Sequence, residues 1–289
     1  MMSNECTNES VLRLLSKLVP VLFAASTVAC GSDSKGDDSA SSTSSGTTSS
    51  TTATGSTATG TTGGGVPLDN FSFFVTSQAG LRELSGSDQG FGGDLSYGGA
   101  VGIAGADKIC ETLAEKSMEG SAVKVWRAFL STTSEDAIDR IGQGPWYDRL
   151  GRVIAMNTAG LQQERPDGDA SIINDLPNEY GTANSEPEGV KLTNHDTLTA
   201  SDADGRLLVG GDPGAGFSTC EDWTSAAPGQ EPPVTGHSWP AASGQSWVNV
   251  GRHANGCEAL IQTGPDGCTG TGVGCGGGYG GFYCFAMNP

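Results

Sequence analysis

Six cysteines, Cys110, Cys220, Cys257, Cys268, Cys275 and Cys284, constrain this chain more than any other feature. They follow a segment that reads as an export signal, and an even set of cysteines in an exported domain implies a disulfide framework. Spacing alone does not fix which of them pair. A zinc cluster is the competing use, but no two of these cysteines have the C-x2-C spacing of a thiolate site. The remaining two, Cys6 and Cys30, lie in the N-terminal segment.

That segment divides into two parts. Arg13 and Lys17 precede an apolar run, Leu18 to Ala29, that is too short for a mature membrane span, so residues 1–29 read as a signal peptide. The run ends Thr27-Val28-Ala29-Cys30, which resembles a bacterial lipobox, so Cys30 is the expected site of diacylation. Gly31 after it points to the outer membrane, with the chain lipid-anchored at the cell surface. From Gly31 to Gly65, 31 of 35 residues are Gly, Ser, Thr or Ala. Such a tract buries too little apolar surface to offset chain entropy, so residues 30–65 are expected to form a disordered tether.

Residues 66–289 remain for one folded domain. Glycine is 45 of 289 residues and hydrophobic content 36%, which favours turns over helices. This part holds 12 Lys and Arg against 28 Asp and Glu. A surface so acidic excludes nucleic acid as a partner and limits membrane contact to the lipid anchor, because binding phosphates needs clustered cations.

The organising stretch runs from Gly105 to Ser131. Ala106, Ile109, Cys110, Leu113 and Ala114 form one apolar stripe at helical spacing, with Gly105 and Asp107 at its start and Gly120 at its end. Val123 to Ser131 then alternates with both faces apolar, as a central strand does. Phe71 to Val75 reads as a first strand and residues 84–102 as loop. Glu135 to Ile141 reads as a second short helix. Arg152 to Met156, Leu207 to Val209, Cys220 to Thr224, Ser246 to Val250 and Phe282 to Phe285 read as short strands or strand edges. Residues 157–200 form a long polar loop of the kind that carries function.

GIAGADKIC, WRAFLS, SDADGR, CEDWTSAAPG and the terminal FYCFA occur in this order over Val101 to Ala286. In that order they resemble the endostatin-like domains of certain collagens and of bacterial surface lipoproteins. The resemblance implies an α+β, C-type-lectin-like fold with antiparallel strands, two helices, long loops, disulfides and adjacent termini. It also implies the pairs Cys110–Cys284 and Cys220–Cys275, which leaves Cys257–Cys268 as a local bridge.

Candidate binding residues follow from the loops. Calcium-dependent lectins carry E-P-N or Q-P-D in the long loop and W-N-D on the next strand. Here Glu186-Pro187-Glu188 stands in the loop, and Trp247-Val248-Asn249-Val250 lacks the partner aspartate. Asp167, Asp169, Asp175 and Glu179 are further acids of the same loop. Trp239 and Trp247 border a glycine-dense insert and could stack on a sugar or anchor a protein, whereas Trp126, Trp146 and Trp223 read as core. Asp202, Asp204 and Gly205 read as a structural turn. His195, His237 and His253 read as separate solvent-facing loop residues, so no metal site is assigned, with calcium kept only for the lectin alternative. No nucleophile–base pair stands out, so the domain reads as non-catalytic. The expected function is binding of extracellular macromolecules, matrix or other proteins, through the loops. The alternatives are a calcium-dependent glycan-binding lectin and a structural envelope or matrix protein without a discrete site.

Overall fold

A computed structural model of the chain describes residues 67–185, 194–211, 216–240, 245–261, 270–274 and 276–287. The expected signal peptide, Cys30 and the tether lie outside the described residues, as do Glu186, Glu188, Cys268 and Cys275. No helix among the described residues is long and apolar enough to cross a membrane.

The domain is built on its last strand. Gly278–Ala286 is buried along its whole length and alternates between two cores. Phe282, Cys284 and Ala286 enter one, while Tyr283 and Phe285 enter the other. With the strands numbered in chain order this is β7. On one side it pairs antiparallel with β1 (Phe73–Val75), so the beginning and end of the domain are neighbours. On the other it pairs antiparallel with β2 (Trp126–Ala128) and parallel with β5 (Asp196–Leu198). β6 (Thr235–His237) completes the sheet antiparallel to β5, and β3 (Trp146–Tyr147) with β4 (Val153–Ala155) forms a separate small ladder.

Among the described residues, five α-helices flank these strands: α1 (Gln78–Ser85), α2 (Ile103–Ser117), α3 (Ala137–Arg140), α4 (Thr158–Leu161) and α5 (Cys220–Trp223). The architecture is therefore α+β, with more helices than the two expected. The apolar stripe of α2 packs on one face of the sheet beside Trp126, Ala128 and Leu130. The other face carries Phe129, α3, Trp146, Ile154, Leu161 and Trp247. Phe285 lies within ring contact of Phe73, Phe129, Trp146 and Trp247. Its truncation to alanine is the kind of core deletion that costs about 3–5 kcal/mol.

Asp107 explains why β2 ends where it does. Its carboxylate accepts the Ala128 N–H at 2.8 Å and binds the buried Arg140 guanidinium, so a side chain from α2 closes the free edge of the strand.

Several local expectations are corrected. Helix α1 has no counterpart in the sequence reading, because with Gly80 inside it and Leu81 its one buried apolar side chain the periodic signal is faint. Cys220 to Thr224 is not a strand edge. Cys220, Glu221, Asp222 and Trp223 have φ of 50°, 56°, 54° and 65°, a left-handed turn costing about 1–2 kcal/mol per residue. It is held by the disulfide at Cys220, by Trp223 Nε1 donating to Ser131 O at 2.9 Å, and by Asp222 accepting from Thr133. Ser246 to Val250 and Leu207 to Val209 are irregular, touching the sheet region through the isolated bridges Thr235–Gly251 and Ser201–Leu207.

Among the described residues the disulfides are Cys110–Cys284 and Cys220–Cys257. The first is the pair the resemblance implied. The second replaces both Cys220–Cys275 and Cys257–Cys268, because the left-handed turn sets the Cys220 sulfur against Gly93, whose N–H bonds Cys257 O. Cys257 is then the partner within reach, at a Cα–Cα distance of 5.7 Å.

Glu179 ties the loop after β4 to the start of α1. It is buried and accepts from Ser77 N at 2.9 Å and Ser77 Oγ at 2.5 Å. Burial pushes its pKa above the ordinary 4.5, and the Ser77 bonds and Lys116 offset only part of this. A raised carboxyl pKa contributes stability that is present below pH 4.5 and is lost as pH rises through the folded value. Glu179→Gln is expected to flatten that decline when unfolding by urea is measured from pH 4 to 8. Parallel pH profiles for the two proteins would rule this out.

Candidate metal centre

Strand β6 places His237 directly opposite Asp196 of β5. Cross-strand partners of this kind share a face and stand close enough for their side chains to meet. His195 precedes Asp196, and consecutive strand residues normally point to opposite faces. Both reach one centre here because β5 begins at Asp196 and its pairing with β7 breaks register immediately after it. His253 arrives from the segment that bridges the other edge of β6 through Gly251, whose φ of 91° suits glycine.

The result is a cluster of three imidazoles and a carboxylate whose ligand atoms all lie within 4.8 Å of one another. His237 Nε2 is 2.9 Å from Asp196 Oδ1, and His195 Nε2 and His253 Nδ1 are each 3.4 Å from the same oxygen. His237 Nε2 and His253 Nδ1 are 3.4 Å apart. Asp196 is buried; its Oδ1 meets only these three imidazoles, and its Oδ2 has no hydrogen-bond partner among the described residues. The same holds for the outer ring nitrogens, Nδ1, of His195 and His237.

Surrounding contacts fix the donors. Arg165 donates to the carbonyls of His237, Ser238, Gln245 and Ile173, which holds the end of β6 to two loops. Ser238 N bonds His195 O at 2.8 Å, and His237 N bonds Ser246 O at 2.9 Å. Trp239 meets the His195 ring edge-on at 5.2 Å and donates to Asn194 Oδ1 at 2.8 Å. Gly276 closes one side, since a Cβ there would stand 2.0 Å from His253 O and 3.1 Å from Asp196 Oδ2.

Electrostatics favour the coordinating form of two of the four groups, the His195 ring and the Asp196 carboxylate. Burial lowers the pKa of His195 to about 4, so its ring is neutral near pH 7. Burial works to raise Asp196, but His237 and His253 outweigh it and hold the carboxyl below its usual range. Asp196 in turn raises His253. Neutral imidazoles and a carboxylate anion are the forms that coordinate metals.

The sequence candidates fall elsewhere or alter in meaning. His195 and His237 are buried, not solvent-facing loop residues. Trp247 is core: it packs on Phe129 and Tyr283 and donates to Leu161 O, so it offers no platform to a ligand. Trp239 is half-buried beside the cluster. Asn249 is half-buried and not one of the four clustered residues. Asp169, Asp175 and Glu179 are engaged with Ser171, Ser185 and Ser77 respectively. Asp202 accepts from the N–H groups of Asp204 and Arg206, as expected of a structural turn.

No family model and no curated protein matches this chain.

Proposed function

We propose that the chain is an exported, lipid-anchored, non-catalytic domain that binds extracellular macromolecules through its loops, and that a divalent metal held by His195, Asp196, His237 and His253 keeps those loops in shape. The observation that carries the metal in this reading is Asp196, a buried carboxylate with three imidazoles around one oxygen. Buried charges are paired, hydrogen-bonded or bound to metal, and one ion among these four groups would meet the carboxylate and all three rings at once. An endostatin-like, C-type-lectin-like arrangement is in keeping with the paired first and last strands and with the Cys110–Cys284 link between α2 and β7.

The loop contacts on offer are polar and uncharged. Asn194, next to His195, lines a cleft of about 230 Å³ together with Ser77, Gln78, Asn178, Asn184 and Ser185. Trp239, held against Asn194, stands beside that face. A calcium-dependent lectin draws no support from the cluster, because calcium takes oxygen donors and three of these four are nitrogen.

The test is binding of the full chain to immobilised matrix proteins and to a glycan array, in zinc and in EDTA. Saturable binding that weakens in EDTA is expected. Absence of binding to every member in both buffers would favour a structural envelope protein instead.

A further inference from the structure

We infer that these four side chains form a closed tetrahedral centre of the zinc class, structural rather than catalytic, with His195 Nε2, His237 Nε2, His253 Nδ1 and Asp196 Oδ1 as its donors. The inference rests on the reading that a metal occupies the cluster, and adds which metal, in what geometry and with what role.

Donor chemistry narrows the ion. Three imidazoles with a single carboxylate suit zinc and its first-row neighbours, whereas calcium and magnesium need shells of oxygen. Geometry narrows it further. Four donors about 2.0–2.1 Å from a central ion at tetrahedral angles lie about 3.3–3.4 Å from one another. Three of the distances here are 3.4 Å: His195 Nε2 to Asp196 Oδ1, His253 Nδ1 to Asp196 Oδ1, and His237 Nε2 to His253 Nδ1. A fourth of the six donor pairs, His237 Nε2 to Asp196 Oδ1, is shorter at 2.9 Å, and the two pairs from His195 to the other histidines lie within 4.8 Å. A square plane would place neighbouring donors about 2.8 Å apart, which only the shortest of these approaches.

Four protein donors complete the shell of a structural zinc and leave no position for substrate or water. Asp196 Oδ2 faces the Gly276 backbone, so the carboxylate presents Oδ1 alone. Exposure supports the same reading: the side chains of Asp196, His237 and His195 are 1%, 3% and 8% exposed, and solvent meets the centre through His253, at 37%. The donors come from the start of β5, the end of β6 and the segment leading to Cys257. A metal would therefore fasten this last segment at His253, four residues from where the Cys220 disulfide fastens it.

Cobalt tests this. The full chain, freed of metal by chelation, is titrated with Co(II) and followed by visible absorption. One equivalent should give the intense visible bands of four-coordinate cobalt, one equivalent of Zn(II) should displace it, and azide should leave the spectrum unchanged. His253→Ala should lower affinity at least about ten-fold and make the spectrum respond to azide, because the lost donor opens a position. The faint spectrum of six-coordinate cobalt, or an azide response in the unaltered chain, would overturn the closed tetrahedral centre while leaving a bound metal. Strong near-ultraviolet thiolate-to-cobalt absorption would place the ion on cysteines and overturn the assignment. Failure to bind either ion stoichiometrically would overturn the metal reading itself.

Discussion

In excess zinc the protein is expected to melt on the order of 10 °C above its chelated form, and Asp196→Ala to abolish that difference. A ligand that binds only the folded state at about 1,000 times its Kd adds about 4 kcal/mol. For a domain of this size each kcal/mol moves Tm by about 2–4 °C. The chelated proteins should differ by much less. Without metal, Asp196 keeps the close imidazoles of His237 and His253, which hold its carboxyl below the usual range and so favour the folded state. Asp196→Ala removes those contacts, so in EDTA it should melt at or slightly below the temperature of the unaltered protein, by much less than it loses in zinc. Scanning calorimetry of both proteins in both buffers gives the four values needed. If the substitution lowers Tm by the same amount with and without zinc, Asp196 serves packing alone and the metal reading fails.

Elements with long, strong periodicity were legible in the sequence. The apolar stripe of α2 occupies the place its pattern indicated; the strand expected over Val123 to Ser131 is confined to Trp126–Ala128, and the one expected over Phe282 to Phe285 extends over Gly278–Ala286. Elements set by tertiary contact were not. The left-handed turn at Cys220–Trp223 depends on a disulfide, on Ser131 and on Thr133, and local propensity disfavours it. The second disulfide was mispaired for the same reason, since that turn decides which cysteine lies within reach.

The cluster of His195, Asp196, His237 and His253 was not legible because its residues share no local motif. Neither the H-x-x-x-H of a helical site nor paired cysteines are present, and the segments that meet are 41 and 16 residues apart in sequence, from Asp196 to His237 and from His237 to His253. One signal was available. The chain has only three histidines, and all of them fall between residues 195 and 253, one beside an aspartate. Reading each as an isolated loop residue discarded that coincidence. What sequence could not supply was the register of β5 against β6, which sets Asp196 opposite His237.

Removal of the Cys110–Cys284 bridge is expected to be the costliest change to the covalent framework. The two cysteines are 174 residues apart, and a link of that span removes unfolded-state entropy worth about 5 kcal/mol. Domains have total stabilities of about 5–15 kcal/mol, so a third or more of the margin rests on this bond. Cys220–Cys257, with a separation of 37, is worth about 4 kcal/mol by the same reasoning. Because the second loop is nested inside the first, the two contributions should sum to less than their separate values. Native contacts widen the contrast. Cys110 and Cys284 belong to one buried core and join α2 to the strand on which the sheet is built, so their loss also loosens packing. Cys220–Cys257 holds a left-handed turn whose release recovers some backbone strain, which should reduce the net cost of breaking it. Denaturant unfolding of Cys110→Ala/Cys284→Ala and of Cys220→Ala/Cys257→Ala, both in EDTA to remove the metal contribution, compares them directly. A larger loss from the Cys220–Cys257 pair would show that the left-handed turn, and not the clasp between α2 and β7, holds the domain closed.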